Sequence, residues 1–135
     1  MWNAKELAQS LNSEKFQAEA ITESSLSVVV KQHAELPIAM VIQDQFMFAE
    51  AILSPVADVH NSDLLNRKLL SVTKYLSLSS FAIEKIDDQL CYVILGESSS
   101  SSTLENVELE LETLARNALE VAELIEDHNQ ENEGK

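Results

Sequence analysis

Between Leu104 and Ile125 the chain carries Leu104, Val107, Leu111, Leu114, Ala118, Val121 and Ile125 at alternating spacings of three and four residues. Residues so spaced share one side of an α-helix, so a stripe sustained over three heptads requires a long amphipathic helix with an apolar surface to lie on. Ser102 and Glu105 read as a capping box at its start. The other faces carry Glu105, Glu108, Glu110, Glu112, Glu120, Glu123, Glu126 and Asp127, relieved only by Arg116. Repulsion among these carboxylates weakens the helix, so burial of the stripe must compensate. From Asn129 onward (NQENEGK) nothing apolar remains, which predicts a single domain over residues 1–128 and a disordered acidic tail over 129–135.

The surface for that stripe is written upstream with a period of two. Leu26, Val28 and Val30 alternate with Ser25, Ser27 and Val29, the pattern of a half-buried strand. Ile38–Ile42 (IAMVI) and Phe46–Leu53 (FMFAEAIL) are apolar on both faces and are joined by the polar turn Gln43, Asp44, Gln45, so they read as a hairpin of central strands. Phe16–Thr22 alternates weakly and is either a further strand or an irregular lead-in. Asn3 and Glu6 resemble a capping box for a short first helix whose stripe is Trp2, Leu7, Ala8 and Leu11. After Pro55, Asn61 or Ser62 offers an N-cap for a helix over Ser62–Leu76 with Leu65, Leu69, Val72 and Leu76 on one side. A second hairpin follows: Phe81, Ile83 and Ile86, the turn Asp87–Asp88, then Leu90–Leu95 (LCYVIL) ended by Gly96. The serine tract Ser98–Ser102 reads as a flexible connector. The expected fold class is α+β: an antiparallel twisted sheet flanked by helices, in the order α-β(3 or 4)-α-β-β-α.

Composition excludes several functions. With 135 residues, 45% hydrophobic and 24% charged, the chain can bury one core. It has only two glycines, and one of them, Gly134, lies in the tail, so a Walker loop or a dinucleotide fingerprint has no backbone to cradle phosphate. The single cysteine, Cys91, forms no internal disulfide and no multi-thiolate zinc site, and in LCYVIL it reads as a buried structural thiol in a reducing compartment. Nine basic against 23 acidic residues, a formal charge of −14, oppose binding to nucleic acid or to an anionic membrane surface. The apolar runs are too short to span a bilayer, so direct membrane insertion is not expected. The start MWNAKELAQSL lacks the pattern of a secretory signal, and a cytoplasmic location is expected. His33, His60 and His128 fall in separate elements; Asp58, His60 and Asp63 form the nearest approach to a ligand set and read as a solvated loop leading into a helix. No serine sits in G-x-S-x-G. No catalytic residue, metal or cofactor is therefore expected, and the chain is read as a non-enzyme.

What remains is surface. Glu50 interrupts the stripe Phe46, Phe48, Ile52 on one face of a strand, and an acid among apolar neighbours needs water or a partner's donor. Phe46, Phe48, Glu50 and Ile52 are one candidate protein-binding surface; the outer face of the last helix, with Glu108, Glu112 and Glu123, is a second, otherwise explained by solubility. The two-faced strands offer more apolar surface than three helices cover, which predicts a homodimer. The class that competes with a protein-interaction module is a small-ligand-binding or enzymatic domain, which a pocket with convergent polar groups and perturbed acids would reveal.

The element order, the acidic chain and the final amphipathic helix resemble the type III secretion chaperone-like fold. More specific are LSLSSFAI at Leu76–Ile83, ELP at Glu35–Pro37, EAIL at Glu50–Leu53 and SSSSTLENVELELETLA at Ser99–Ala115, which are similar to an uncharacterised bacterial family, the YjfI-like proteins. That resemblance implies a bacterial cytoplasmic protein of unknown activity, in some members encoded beside a PspA-like membrane-stress protein, which makes that neighbour a partner candidate and suggests a link to envelope stress. It supplies no catalytic residues. The chaperone resemblance implies dimerisation and the holding of unfolded client segments on exposed apolar surface, by analogy of fold.

Overall fold

The structure, a computed structural model, describes residues 1–134. In chain order it consists of α1 (Ala4–Ser10), β1 (Phe16–Ala20), β2 (Ser25–Val30), β3 (Leu36–Gln43), β4 (Phe46–Pro55), α2 (Ser62–Val72), β5 (Ser80–Ile86), β6 (Gln89–Ser99) and α3 (Leu104–Glu131). The strands form one six-stranded open sheet in the order β1-β2-β3-β4-β6-β5, every neighbouring pair antiparallel. Phe16–Ala20 is thus a strand, at one edge of the sheet; β5 is the other edge.

One face of the sheet is covered. Leu26, Val28, Ile38, Met40, Met47, Ala51 and Ile94 point to it and merge with Leu7, Leu65, Leu69 and the α3 residues Val107, Leu111, Leu114, Val121 and Ile125 in one core. The heptad stripe lies on the sheet as its spacing requires. α1 docks beside the first half of α3, where the Asn12 N–H donates to Glu108 Oε2 at 2.8 Å and Lys15 pairs with Glu112 at 3.5 Å. α2 docks beside the second half: His128 Nε2 bonds the His60 carbonyl at 2.7 Å while its Nδ1 accepts from Lys68 Nζ at 3.0 Å, which places the imidazole proton on Nε2. Tyr92, on the same face of the sheet, bonds Asn66 Oδ1 of α2, and burial pushes its hydroxyl above the usual tyrosine value, with Asp63 adding to the effect.

Several expectations need correction. β3 and β4 are not buried on both faces: Ile38, Met40 and Ile42 are buried but Pro37, Ala39, Val41 and Gln43 are exposed, because all three helices lie on one side. The N-cap of α3 is Thr103, whose hydroxyl accepts from the Asn106 N–H at 3.2 Å, rather than Ser102 with Glu105. Asn61 holds the N-cap position of α2 in the left-handed region without a side-chain cap bond, and the helix ends at Val72, followed by a 3₁₀ turn over Thr73–Tyr75. Gly96 does not end its strand: β6 runs on to Ser99. A Cβ at Gly96 would lie 2.9 Å from the Leu78 carbonyl oxygen, so this glycine is required by close approach of backbone, not by a turn. The serine tract is not a loose connector either. Ser100 is fully buried, its N–H donates to the Gln45 carbonyl at 2.9 Å, its hydroxyl to the Asp44 carbonyl at 2.8 Å, and Trp2 Nε1–H donates to the Ser102 carbonyl at 2.7 Å. Small side chains are what let the N-terminal segment close over this stretch. Of the expected tail, Asn129, Gln130 and Glu131 continue α3; Asn129 Oδ1 accepts from the His60 N–H at 2.9 Å, and Asn132 is buried with its amide donating to the His128 carbonyl at 2.9 Å. Polar side chains bonding backbone, rather than apolar burial, extend the helix. Lys135 lies outside the described residues.

Candidate functional site

Strand alternation sends Phe46, Phe48, Glu50 and Ile52 to the face of the sheet opposite the helices. Phe46 and Ile52 are 55% and 53% exposed, more than half of each side chain in water although both belong to a long internal strand. Cross-strand register supplies their neighbours. Phe48 stands between Val41 of β3 and Glu97 of β6, Glu50 between Ala39 and Leu95, and Ile52 beside Val93. The β5–β6 hairpin continues these rungs: Val93 is opposite Ala82, and Cys91 is opposite Glu84. Asp87 and Asp88, both with positive φ, form the two-residue turn that sets this register. The Ile52–Ser54 irregularity in β4 leaves the rungs from Phe46 to Ile52 in phase.

Glu84 is the residue that sequence reasoning missed. By register, Glu50 on β4 and Glu84 on β5 lie diagonally across β6 with Val93 midway between them. Their side chains are hydrogen-bonded to each other, and the Glu50 carboxyl is raised from 4.5 to about 7, first by burial, then by the bond to Glu84 and by its negative charge. Val93 is fully buried yet stands apart from the core under the helices, as does Cys91; the side chains of the open face itself close over them. Cys91 is accordingly a buried free thiol.

The candidate residues do not converge on one surface. Phe46, Phe48, Glu50 and Ile52 share the open face, whereas Glu108, Glu112 and Glu123 belong to α3 on the covered side. Glu108 and Glu112 are half-buried and engaged with Asn12 and Lys15, which gives them an internal role in docking α1; Glu123 is exposed. Among the described residues no three histidine, cysteine or acidic side chains cluster to hold a metal ion. Nor, among them, is any helix long and apolar enough to cross a membrane.

The family described as an uncharacterized protein conserved in bacteria, DUF2170, matches residues 1–129 of the chain. Over 130 residues the chain is 31% identical to the uncharacterized protein YjfI of Escherichia coli strain K12, an alignment that covers 95% of this chain and 98% of that one. The YjfI protein of Escherichia coli O157:H7 gives the same identity and coverage.

Proposed function

Because the chain belongs to the DUF2170 family of uncharacterized proteins conserved in bacteria, a membership that assigns no activity, we propose a function from its geometry: a non-enzymatic protein-interaction module that binds partner or client segments on the open face of its sheet. The observation that carries this reading is an apolar surface, exposed Val41, Phe46 and Ile52 with part-buried Phe48 and Leu95, broken by Glu50 and left without a covering helix while all three helices crowd the opposite side. Contiguous exposed apolar surface on a small soluble domain marks an interaction site more often than not. The element order resembles that of the type III secretion chaperones, and this analogy of fold supports a chaperone-like use of the face. Through the resemblance to the YjfI-like proteins, a PspA-like protein is the first partner to test.

The test compares affinity capture from a bacterial lysate by the wild-type chain, by Ile52→Asp on the open face and by Leu70→Asp, an exposed position on α2. Loss of captured proteins with Ile52→Asp alone, both variants retaining the wild-type circular dichroism spectrum, is the expected result. Equal capture by all three removes the open face as the binding surface.

A further inference from the structure

The open face is of one sign as well as apolar. Among the described strand residues that alternate onto it, every charged one is acidic: Glu19 of β1, Glu50 of β4, Glu84 of β5 and Glu97 of β6. The lysine of the hairpin, Lys85, alternates to the other side and pairs with Asp88 at 3.7 Å. Toward the β5 edge of the face, Glu50 on the inner strand β4 and Glu84 on the edge strand β5 lie to either side of Val93, with Ile52 and Leu95 beside them.

Resting on the reading of this face as an interaction surface, we infer that its occupant is a protein segment carrying a lysine or arginine between aliphatic side chains. The cation sits between the Glu50 and Glu84 carboxyls, and the aliphatic neighbours lie on Phe48, Ile52 and Leu95. Among the described residues no cation pairs with these two half-buried carboxylates, so each forfeits interaction energy that an ammonium or guanidinium would restore; a guanidinium fork bonds both at once. The apolar rungs alone would accept any hydrophobic strand. The charge selects among them, since an acidic segment meets repulsion and a neutral one leaves the carboxylates desolvated. A second copy of this chain is a poor fit for the same reason: two such faces brought together oppose Glu50, Glu84 and Glu97 to one another.

The experiment displays a random library of 12-residue peptides to the full-length chain and reads the sequences enriched by the wild type, by Ile52→Asp, by Leu70→Asp and by Glu50→Gln/Glu84→Gln, each confirmed folded by circular dichroism. The expected result is enrichment of lysine or arginine flanked by aliphatic residues, at least about tenfold over acidic counterparts, lost in the double glutamine variant. Individual enriched peptides, followed by fluorescence anisotropy, should lose binding in Ile52→Asp and keep it in Leu70→Asp. Peptides that depend on Ile52 but show no basic preference overturn the inference and leave the open face as the binding surface. A library that yields no binder sensitive to Ile52→Asp overturns both. Light scattering that shows a dimer broken by Ile52→Asp assigns the face to a second copy and likewise overturns the inference.

Discussion

Folding makes Glu50 harder to ionise, and the consequence for stability has a definite sign. The carboxyl rises from 4.5 in a free chain to about 7 in the folded one, through burial and the adjacent Glu84. An acid whose value is raised by folding binds its proton more tightly in the folded state. The folded chain therefore keeps its full stability below pH 4.5, loses part of it progressively between pH 4.5 and about 7, and does not regain it above. At about 1.36 kcal/mol per tenfold change the ceiling on the loss is about 3.4 kcal/mol, and because water reaches one side of the pair we expect about 1 kcal/mol. Glu50→Gln presents a neutral side chain of the same length at every pH and escapes the loss. In thermal melts followed by circular dichroism at about pH 8, the variant should melt roughly 4 °C above the wild type. At about pH 5 most of the linkage has yet to accrue and the gap should shrink to roughly 1 °C. The remaining carboxylates titrate in both proteins, so the difference between the two curves isolates this site. Glu84→Gln should recover only part of the gain, since it removes the second and third causes of the shift and leaves burial, the first. A gap of equal size at both pH values, or a variant less stable at the higher one, refutes the reasoning that the ionised pair repels across Val93.

Gly96→Ala should lower the urea midpoint by an amount worth about 1 to 3 kcal/mol, since the added methyl meets the Leu78 carbonyl at 2.9 Å and backbone has to move. His128→Leu strips the 2.7 Å bond to the His60 carbonyl and the contact with Lys68, which should cost about 2 kcal/mol in urea unfolding and loosen the junction of α2 with α3. Addition of a chelator should leave the melting temperature unchanged; a drop would reveal a structural metal, whose binding free energy adds directly to folding.

What was legible in the sequence was local. The heptad stripe from Leu104 to Ile125 and the alternation of Leu26, Val28 and Val30 encode which side chains share a face, and a helix or strand obeys that period wherever it packs. The stripe Phe46, Phe48, Glu50, Ile52 was visible for the same reason. Its environment was not. The turn at Asp87–Asp88 sets Glu84 opposite Cys91, a step within one hairpin, but that β6 inserts between β4 and β5 is a long-range pairing no local period records. Without that pairing the partner of Glu50 stays hidden. Apolarity of β3 on both faces read as double burial because sequence reports what a side chain tolerates, not whether a helix arrives to cover it. Polarity of the tract Ser98–Ser102 read as looseness, whereas small hydroxyls can also be the residues that fit under an indole and bond the backbone they touch. Polarity alone does not separate these two uses.

The placement of Glu50 and Glu84 resolves a conflict built into a sheet covered on one side only. A binding face has to be apolar enough to gain from covering, yet a continuous row of Phe46, Phe48, residue 50 and Ile52 beside Val93 and Leu95 would adhere to other copies of itself. Charges at the rim would keep the protein soluble without governing what docks at the centre. In the proposed binding mode, carboxyls set among the apolar side chains, on β4 and on the adjoining edge hairpin, act on docking directly. They cost stability through their mutual repulsion, they oppose every identical or acidic face, and they leave open the one chemistry that satisfies both of them at once. Because the core that holds the sheet lies under the helices, on the other side, this cost is borne without a cavity or a strained strand, and substitutions at Glu50 and Glu84 should alter recognition far more than fold.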